Sequence, residues 1–277
     1  MKTVKEILDT SIDALKKANI EEARVIIELI LSEVCAIKRT EIFLNYDRLL
    51  NPDEFRKINR YIKEVISGKP LSWVFKKHNF NGVDLYIDNG VFVPRAETEE
   101  LAEMVFKKTL EIKDPLVLDF CAGSGAIGIY IALKNRSSKV FAIDKSKKAF
   151  DVMKKNKEIL SLENFFPYRS KRIDIFDFKF DVVVANPPYV PKWMYDMLGG
   201  DVKKESRTAI VGGNDGLSMV RYILSKIDII KDGGFLFLEV GEYYSCELKK
   251  LFSRFFKRFE ILKDINKKDR FVFAIKE

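Results

Sequence analysis

The amino-acid sequence predicts an α/β protein, a seven-stranded, doubly wound and mainly parallel sheet preceded by a small helical bundle. Three observations predict it. Apolar residues recur at helical spacing up to about residue 75 and then switch to a period of two. From Pro115 onward, short β-branched or aromatic runs alternate with helical patterns, as strands joined by helical crossovers do. The last two such runs, Phe259 to Leu262 and Phe271 to Ile275, have no helix between them and read as a closing antiparallel pair.

Val4, Ile7, Leu8, Ile12 and Leu15 share one face of a first helix. A second, more apolar helix from about Glu21 to Val34 is expected to be buried on most sides. Asn51, Pro52 and Glu54 supply a cap, a proline at the first helical position and an acid at the third, a strong helix start. Phe55, Ile58, Ile62 and Val65 carry that helix to Gly68, which stops it. Residues 1–75 therefore read as a helical domain with no catalytic residue types, either a packing cap or a docking module for a macromolecular substrate. Asn81-Gly82 and Asn89-Gly90 bracket the alternating Val83, Leu85 and Ile87, so residues 76–93 read as a β-hairpin linker. Residues 94–277 then form the sheet domain, opening on the acidic helix start Glu97-Thr98-Glu99-Glu100, whose charges suit a helix amino terminus.

Within that domain Leu116 to Phe120 is the first strand of the sheet, Val140 to Asp144 the second, and Arg169 to Ile173 a weaker third. Phe180 to Ala185 is the fourth and Gly234 to Val240 the fifth.

Composition narrows the function classes. With 47% hydrophobic and 32% charged residues the chain is globular, and no apolar run approaches the ~18 residues of a membrane span. No signal-peptide pattern opens it. Cys35, Cys121 and Cys246 are unclustered, which argues for a reducing cytoplasm and against a disulfide framework or zinc site. The single histidine, His78, argues against a histidine triad or metal centre. A net charge of +8 invites a nucleic-acid partner. The excess is spread over Lys145 to Lys179 and Lys249 to Lys276, however, and lysines scattered on amphipathic helices usually form a solvated face.

Two segments carry chemistry. Asp119-Phe120-Cys121-Ala122-Gly123-Ser124-Gly125 joins the first strand to a helix, and Gly123 and Gly125 permit a tight turn that a ligand can approach closely. Asp144 ends the next strand about 20 residues on, as expected of an acid gripping ribose hydroxyls, so a nucleoside-containing cofactor is indicated. Asn186-Pro187-Pro188-Tyr189 ends the fourth strand. Its two prolines cannot donate to a ladder, so the strand delivers one amide, free carbonyls and one aromatic ring at the sheet's carboxyl end, where ligands bind.

Together these segments resemble class I S-adenosylmethionine-dependent methyltransferases acting on planar nitrogen, and the final antiparallel pair is similar to the layout of that class. More narrowly the chain resembles the PrmC/HemK family over nearly its whole length. The resemblance includes Gly68-Lys69-Pro70-Leu71, Val93 to Glu99, Gly212 to Leu217, Leu238-Glu239-Val240-Gly241 and Asp264 to Arg270. Cys121 and Ala122 stand where the family's loop usually has glycine and threonine, Ala96 where proline is common, Glu205-Ser206 in place of Glu-Pro, and Lys267 in place of glycine.

The resemblance implies a cytoplasmic, monomeric protein-glutamine methyltransferase whose partners are class I peptide chain release factors, modified on the glutamine of their Gly-Gly-Gln motif. It implies S-adenosylmethionine as cofactor, S-adenosylhomocysteine as product, and no metal, membrane or direct nucleic-acid partner. Cys121, Ala122, Gly123, Ser124 and Gly125 would line the methionine part of the cofactor, with Asp119 near the sulfonium end. Asp144 would hold the ribose, and Asp174 and Ile175 would flank the adenine. Asn186, Pro187, Pro188 and Tyr189 would bind the substrate amide, with Asn186, Pro187 and Tyr189 catalytic and Asn186 also touching the cofactor. Glu97 and Thr98 would close the site. Amino-group methylation of adenine or guanine in DNA or RNA is the competing reading. A cofactor-binding regulator without catalysis and a dehydrogenase stand further off.

Overall fold

The computed structural model describes residues 2–198 and 205–277. The chain divides into two compact units, Met1–Lys77 and His78–Glu277, each with its own apolar core.

In the first unit, α1 (Val4–Lys17) starts at a capping box formed by Thr3 and Glu6, and its buried Val4, Ile7, Leu8 and Leu15 lie on one helical stripe. The second helix, α2 (Ala23–Cys35), places Ile27, Ile30 and Leu31 in the centre of the core. In α3 (Pro52–Ile66) the Asn51 side chain accepts from the backbone N–H groups of Asp53 and Glu54 while Glu54 accepts from the backbone N–H of Asn51. The chain turns at Gly68, in the left-handed region at φ +82°, before the short α4 (Leu71–Phe75). A 3-10 segment, Arg39–Asn45, buries Ile42 but leaves Phe43 and Leu44 exposed.

A hairpin follows, β1 (Lys77–Phe80), which starts at the last residue of the first unit, and β2 (Val83–Tyr86). Asn81 and Gly82 both have positive φ, as a two-residue hairpin turn of matching twist requires. After α5 (Ala96–Thr109) come β3 (Leu116–Phe120), α6 (Ala126–Lys134), β4 (Lys139–Asp144), α7 (Lys147–Ile159), β5 (Phe165–Arg169), β6 (Phe180–Ala185), β7 (Ile230–Glu239), β8 (Arg258–Lys263) and β9 (Asp269–Ile275). The seven-stranded sheet has the order β5-β4-β3-β6-β7-β9-β8, parallel except for β9. Alternate residues serve opposite faces. Val117, Val140, Val182 and Val184 pack with α5, α6 and α7, while Leu118, Ile143, Val183 and Ala185 pack with the helices Ser218–Leu224 and Ser245–Phe252.

The third parallel strand is Phe165–Arg169 rather than Arg169 to Ile173. Pro167 disguises it, since proline removes a ladder donor. The strand tolerates it because β5 is the sheet edge, paired with β4 alone. No helix among the described residues is long and apolar enough to cross a membrane.

Strand order reverses between β3 and β6. Their loops leave in opposite directions, which opens a crevice at the carboxyl end of the sheet. The register Phe120↔Ala185 sets Cys121 and Asn186 side by side at that crevice, and Ala185↔Leu238 sets Glu239 on the other flank of Asn186.

Candidate active site

A cavity occupies the switch point. Its walls include Asp119, Cys121, Ala122, Gly123 and Ser124 from the β3–α6 loop, Asp144 from β4, and Asn186 to Tyr189 after β6, with Thr98 of α5 completing it. Gly125, Glu97, Asp174 and Ile175 do not line it. Gly125 instead caps α6 at φ +81°, where a Cβ would come within about 3 Å of Met153, Phe165 and Ile129. Asp174, after β5, is committed to Arg172 (3.0 Å) and Lys226 (3.0 Å), which hold its carboxyl well below the usual range. On that side Ser170 and Lys171 reach the cavity.

The glycine loop is held by its neighbours. The Gly123 N–H donates to Asp144 Oδ2 (2.9 Å) and the Ser146 N–H to Asp144 Oδ1 (2.8 Å). Burial raises the Asp144 carboxyl, and those N–H donations oppose the shift. Cys121 sits at φ +61°, left-handed backbone that glycine adopts without strain. The space where a Cβ of Gly123 would lie is open, so a ligand can approach its backbone. Asp119 is buried, and only its Oδ2 has a partner, the Gly128 N–H (2.9 Å); Oδ1 has none. Burial pushes this carboxyl up to about 7, with Asp144 adding to the rise. Buried carboxylates short of donors at a ligand cavity favour a bound cation.

At the end of β6, the Asn186 Nδ2 donates to Thr98 Oγ1 (3.0 Å), and Thr98 donates to Glu239 Oε2 (2.7 Å). The Tyr189 hydroxyl donates to Glu239 Oε1 (3.3 Å), while the Tyr189 carbonyl accepts from the Tyr244 hydroxyl (2.8 Å). Asn186 Oδ1 and the carbonyls of Pro187 and Pro188 have no hydrogen bond among the described residues. Arg95, also in the wall, pairs with the buried Glu205 (2.8 Å). Besides Tyr244, Glu239 is the member of this network that the sequence reading left without a role. Its signal was the same as that of Asp144, an acid ending an apolar strand.

The reversed strand order, the glycine loop with its acid on the next strand, and the antiparallel closing strand define a class I methyltransferase fold. Residues 6–75 match the family model described as PrmC N-terminal domain, and residues 83–198 the one described as Methyltransferase small domain. The chain is 31% identical to the release factor glutamine methyltransferase of Bacillus subtilis over 99% of its own length and 98% of that protein's. The Clostridium acetobutylicum protein of the same name is 32% identical over 99% and 98%, and that of Fusobacterium nucleatum 31% identical over 98% and 78%. The chain belongs to the release factor glutamine methyltransferase family. Among solved structures, the T. thermophilus 16S rRNA N2 methyltransferase in complex with AdoMet and guanosine is similar in fold, with a TM-score of 0.53 at 20% identity over 73% of this chain and 50% of that one. The ribosomal protein L11 methylase of Lactobacillus delbrueckii gives 0.50 at 15% identity over 69% of this chain and 84% of that one.

Proposed function

We propose that the chain transfers a methyl group from S-adenosylmethionine to the side-chain amide nitrogen of the glutamine in the Gly-Gly-Gln motif of peptide chain release factors. The observation that carries this reading is a pair of unpartnered acceptors, Asn186 Oδ1 and the Pro187 carbonyl, in the wall of the cavity that also holds the glycine loop and Asp144. A glutamine NH2 group has two donors and a lone pair delocalised into its carbonyl. Two acceptors that take both N–H bonds fix the nitrogen and aim its lone pair, and transfer then depends on positioning rather than on a strong base. Tyr189 would pack against the planar amide, tied at its hydroxyl and its carbonyl.

The residues fit the cofactor. The open face of Gly123 and the orphaned Asp119 Oδ1 suit its cationic amino acid end, and Asp144 retains acceptor capacity for ribose hydroxyls. Bound there, S-adenosylmethionine supplies an electrophilic methyl group. Residues 1–75 are assigned to docking of the substrate protein, residues 76–93 to the linker and residues 94–277 to catalysis.

The experiment is transfer from labelled S-adenosylmethionine to a release factor or to nucleic acid. Label on the Gly-Gly-Gln glutamine is expected, and Asn186→Ala should abolish it while cofactor binding persists. Label on nucleic acid alone, or full turnover in the variant, sinks the reading.

A further inference from the structure

Glu239 does not line the cavity, yet it is buried at the register position beside Asn186. A carboxylate sealed in the protein interior destabilises the fold relative to a neutral group of the same shape. Its two oxygens are spent on two hydroxyl donors, Thr98 and Tyr189, both of which line the cavity. We propose that Glu239 is a positioning residue that acts through Thr98 to lock the Asn186 amide with its oxygen free for the substrate. The inference rests on the reading above that Asn186 accepts a hydrogen bond from the glutamine.

The logic follows from counting protons. A hydroxyl has one hydrogen and two lone pairs. An ionised Glu239 can only accept, so the Thr98 hydrogen is fixed on Oε2 and Thr98 Oγ1 can offer Asn186 only a lone pair. The amide must then turn its NH2 toward Thr98, and Oδ1 is the end left free. Without that instruction a carboxamide can rotate end for end, since its two ends have nearly the same shape. In the reversed orientation its NH2 would oppose the NH2 of the glutamine, donor against donor. Protonated Glu239 could issue the reverse instruction, because it would donate to Thr98 and release the Thr98 hydrogen toward Asn186 Oδ1.

The charged and titratable groups around Glu239 come from each neighbouring element. Glu97 on α5 raises its pKa, and Arg270 on β9 lowers it while donating to the Val240 carbonyl (3.4 Å) and to Asp264 (3.3 Å). Tyr189, after β6, stays a neutral donor because burial and Glu239 itself raise its hydroxyl. Burial dominates at Glu239 and pushes the carboxyl up to about 7. The competent orientation is therefore present above that pH and is lost as pH falls through it.

The test compares wild type, Glu239→Gln, Thr98→Val and Thr98→Ser at saturating cofactor, whose positive charge keeps Asp119 ionised. Expected are an acid limb near pH 7 in wild-type kcat, a kcat about 100-fold lower in Thr98→Val, a smaller loss in Glu239→Gln, whose amide oxygen can still accept from Thr98 but whose orientation is no longer fixed, and no Glu239 limb in Glu239→Gln. Cofactor Kd should change by no more than about twofold in Glu239→Gln, and Thr98→Ser should restore most of the rate. A Glu239→Gln enzyme with wild-type kcat and an unchanged acid limb overturns the relay. A second readout needs no turnover. The Asn186 side-chain NH2 resonances, followed by NMR without substrate, should titrate with Glu239 in wild type and not in Glu239→Gln. Resonances that ignore pH across the Glu239 transition also overturn the relay. Wild type that leaves the release factor unlabelled overturns the functional reading instead, while the NMR titration still decides the relay.

Discussion

Asp119 can accept several hydrogen bonds and accepts one, from the Gly128 N–H. Its folded pKa, about 7, lies above the usual carboxylate value because burial disfavours the ion. The stability this neutral carboxyl contributes is present below about pH 4, is lost as pH rises, and is gone above about 7. A cationic ligand at Oδ1 relieves that loss, so the ligand is held most tightly where Asp119 is ionised. S-adenosylmethionine affinity should rise with pH through about 7, and binding below that pH should release protons. Calorimetry in two buffers of different ionisation enthalpy measures both quantities, and Asp119→Asn should flatten the profile. An affinity independent of pH in wild type would remove Asp119 from the cofactor contacts. Cys121 illustrates a different residue-scale constraint. The loop imposes left-handed backbone on it, which explains why a glycine would serve there, while burial separately raises its thiol.

Among the elements, α6 shows how closely the loop and sheet are coupled. A Cβ at Gly128 would come within about 3 Å of Asp119 Oδ2, Phe165 and Val140. Overpacking of this kind costs roughly 1–3 kcal/mol, and here it also presses on the Asp119 carboxylate. Gly128→Ala should therefore lower both denaturant stability and cofactor affinity, read by urea unfolding and by the dissociation constant. Unchanged values of both would mean that α6 can lift from the sheet without consequence. The sequence revealed those elements whose local chemistry is self-contained. The capping residues of α3, the Asn81-Gly82 turn and the β-branched β6 each carry their own signal. It concealed β5, because the tolerance of Pro167 depends on an edge position that only the assembled sheet defines. The same applies within the site. Asn186 and Asp144 announce themselves as polar groups ending apolar strands, but the pairing of Thr98 with Glu239 spans 141 residues. No spacing rule reaches that far. The pairing of Asp174 with Lys226 is likewise remote in sequence.

At the scale of the whole molecule, the candidate site is built within one of the two units. Residues lining the cavity all belong to His78–Glu277, whereas Met1–Lys77 contributes a helical core of its own. If the first unit docks the substrate protein, as proposed, the apolar side chains it exposes are where the two would meet. Phe43 and Leu44 in the 3-10 segment are 60% and 71% exposed, and Leu49 nearby is 55% exposed. Large apolar side chains left in water close together in sequence mark contact surfaces more often than solvated ones do. If this segment meets the body of the release factor, Phe43→Ser with Leu44→Ser should raise KM for the intact factor about tenfold, the scale of a modest interface contact. The rate on a short Gly-Gly-Gln peptide, which lacks that body, should stay at the wild-type level. Stability should hardly change, because neither side chain is part of the core. Steady-state methylation of the two substrates by the same enzyme preparation makes the comparison. Equal loss on both would show that the segment supports folding or catalysis instead, and no loss on either would place docking elsewhere.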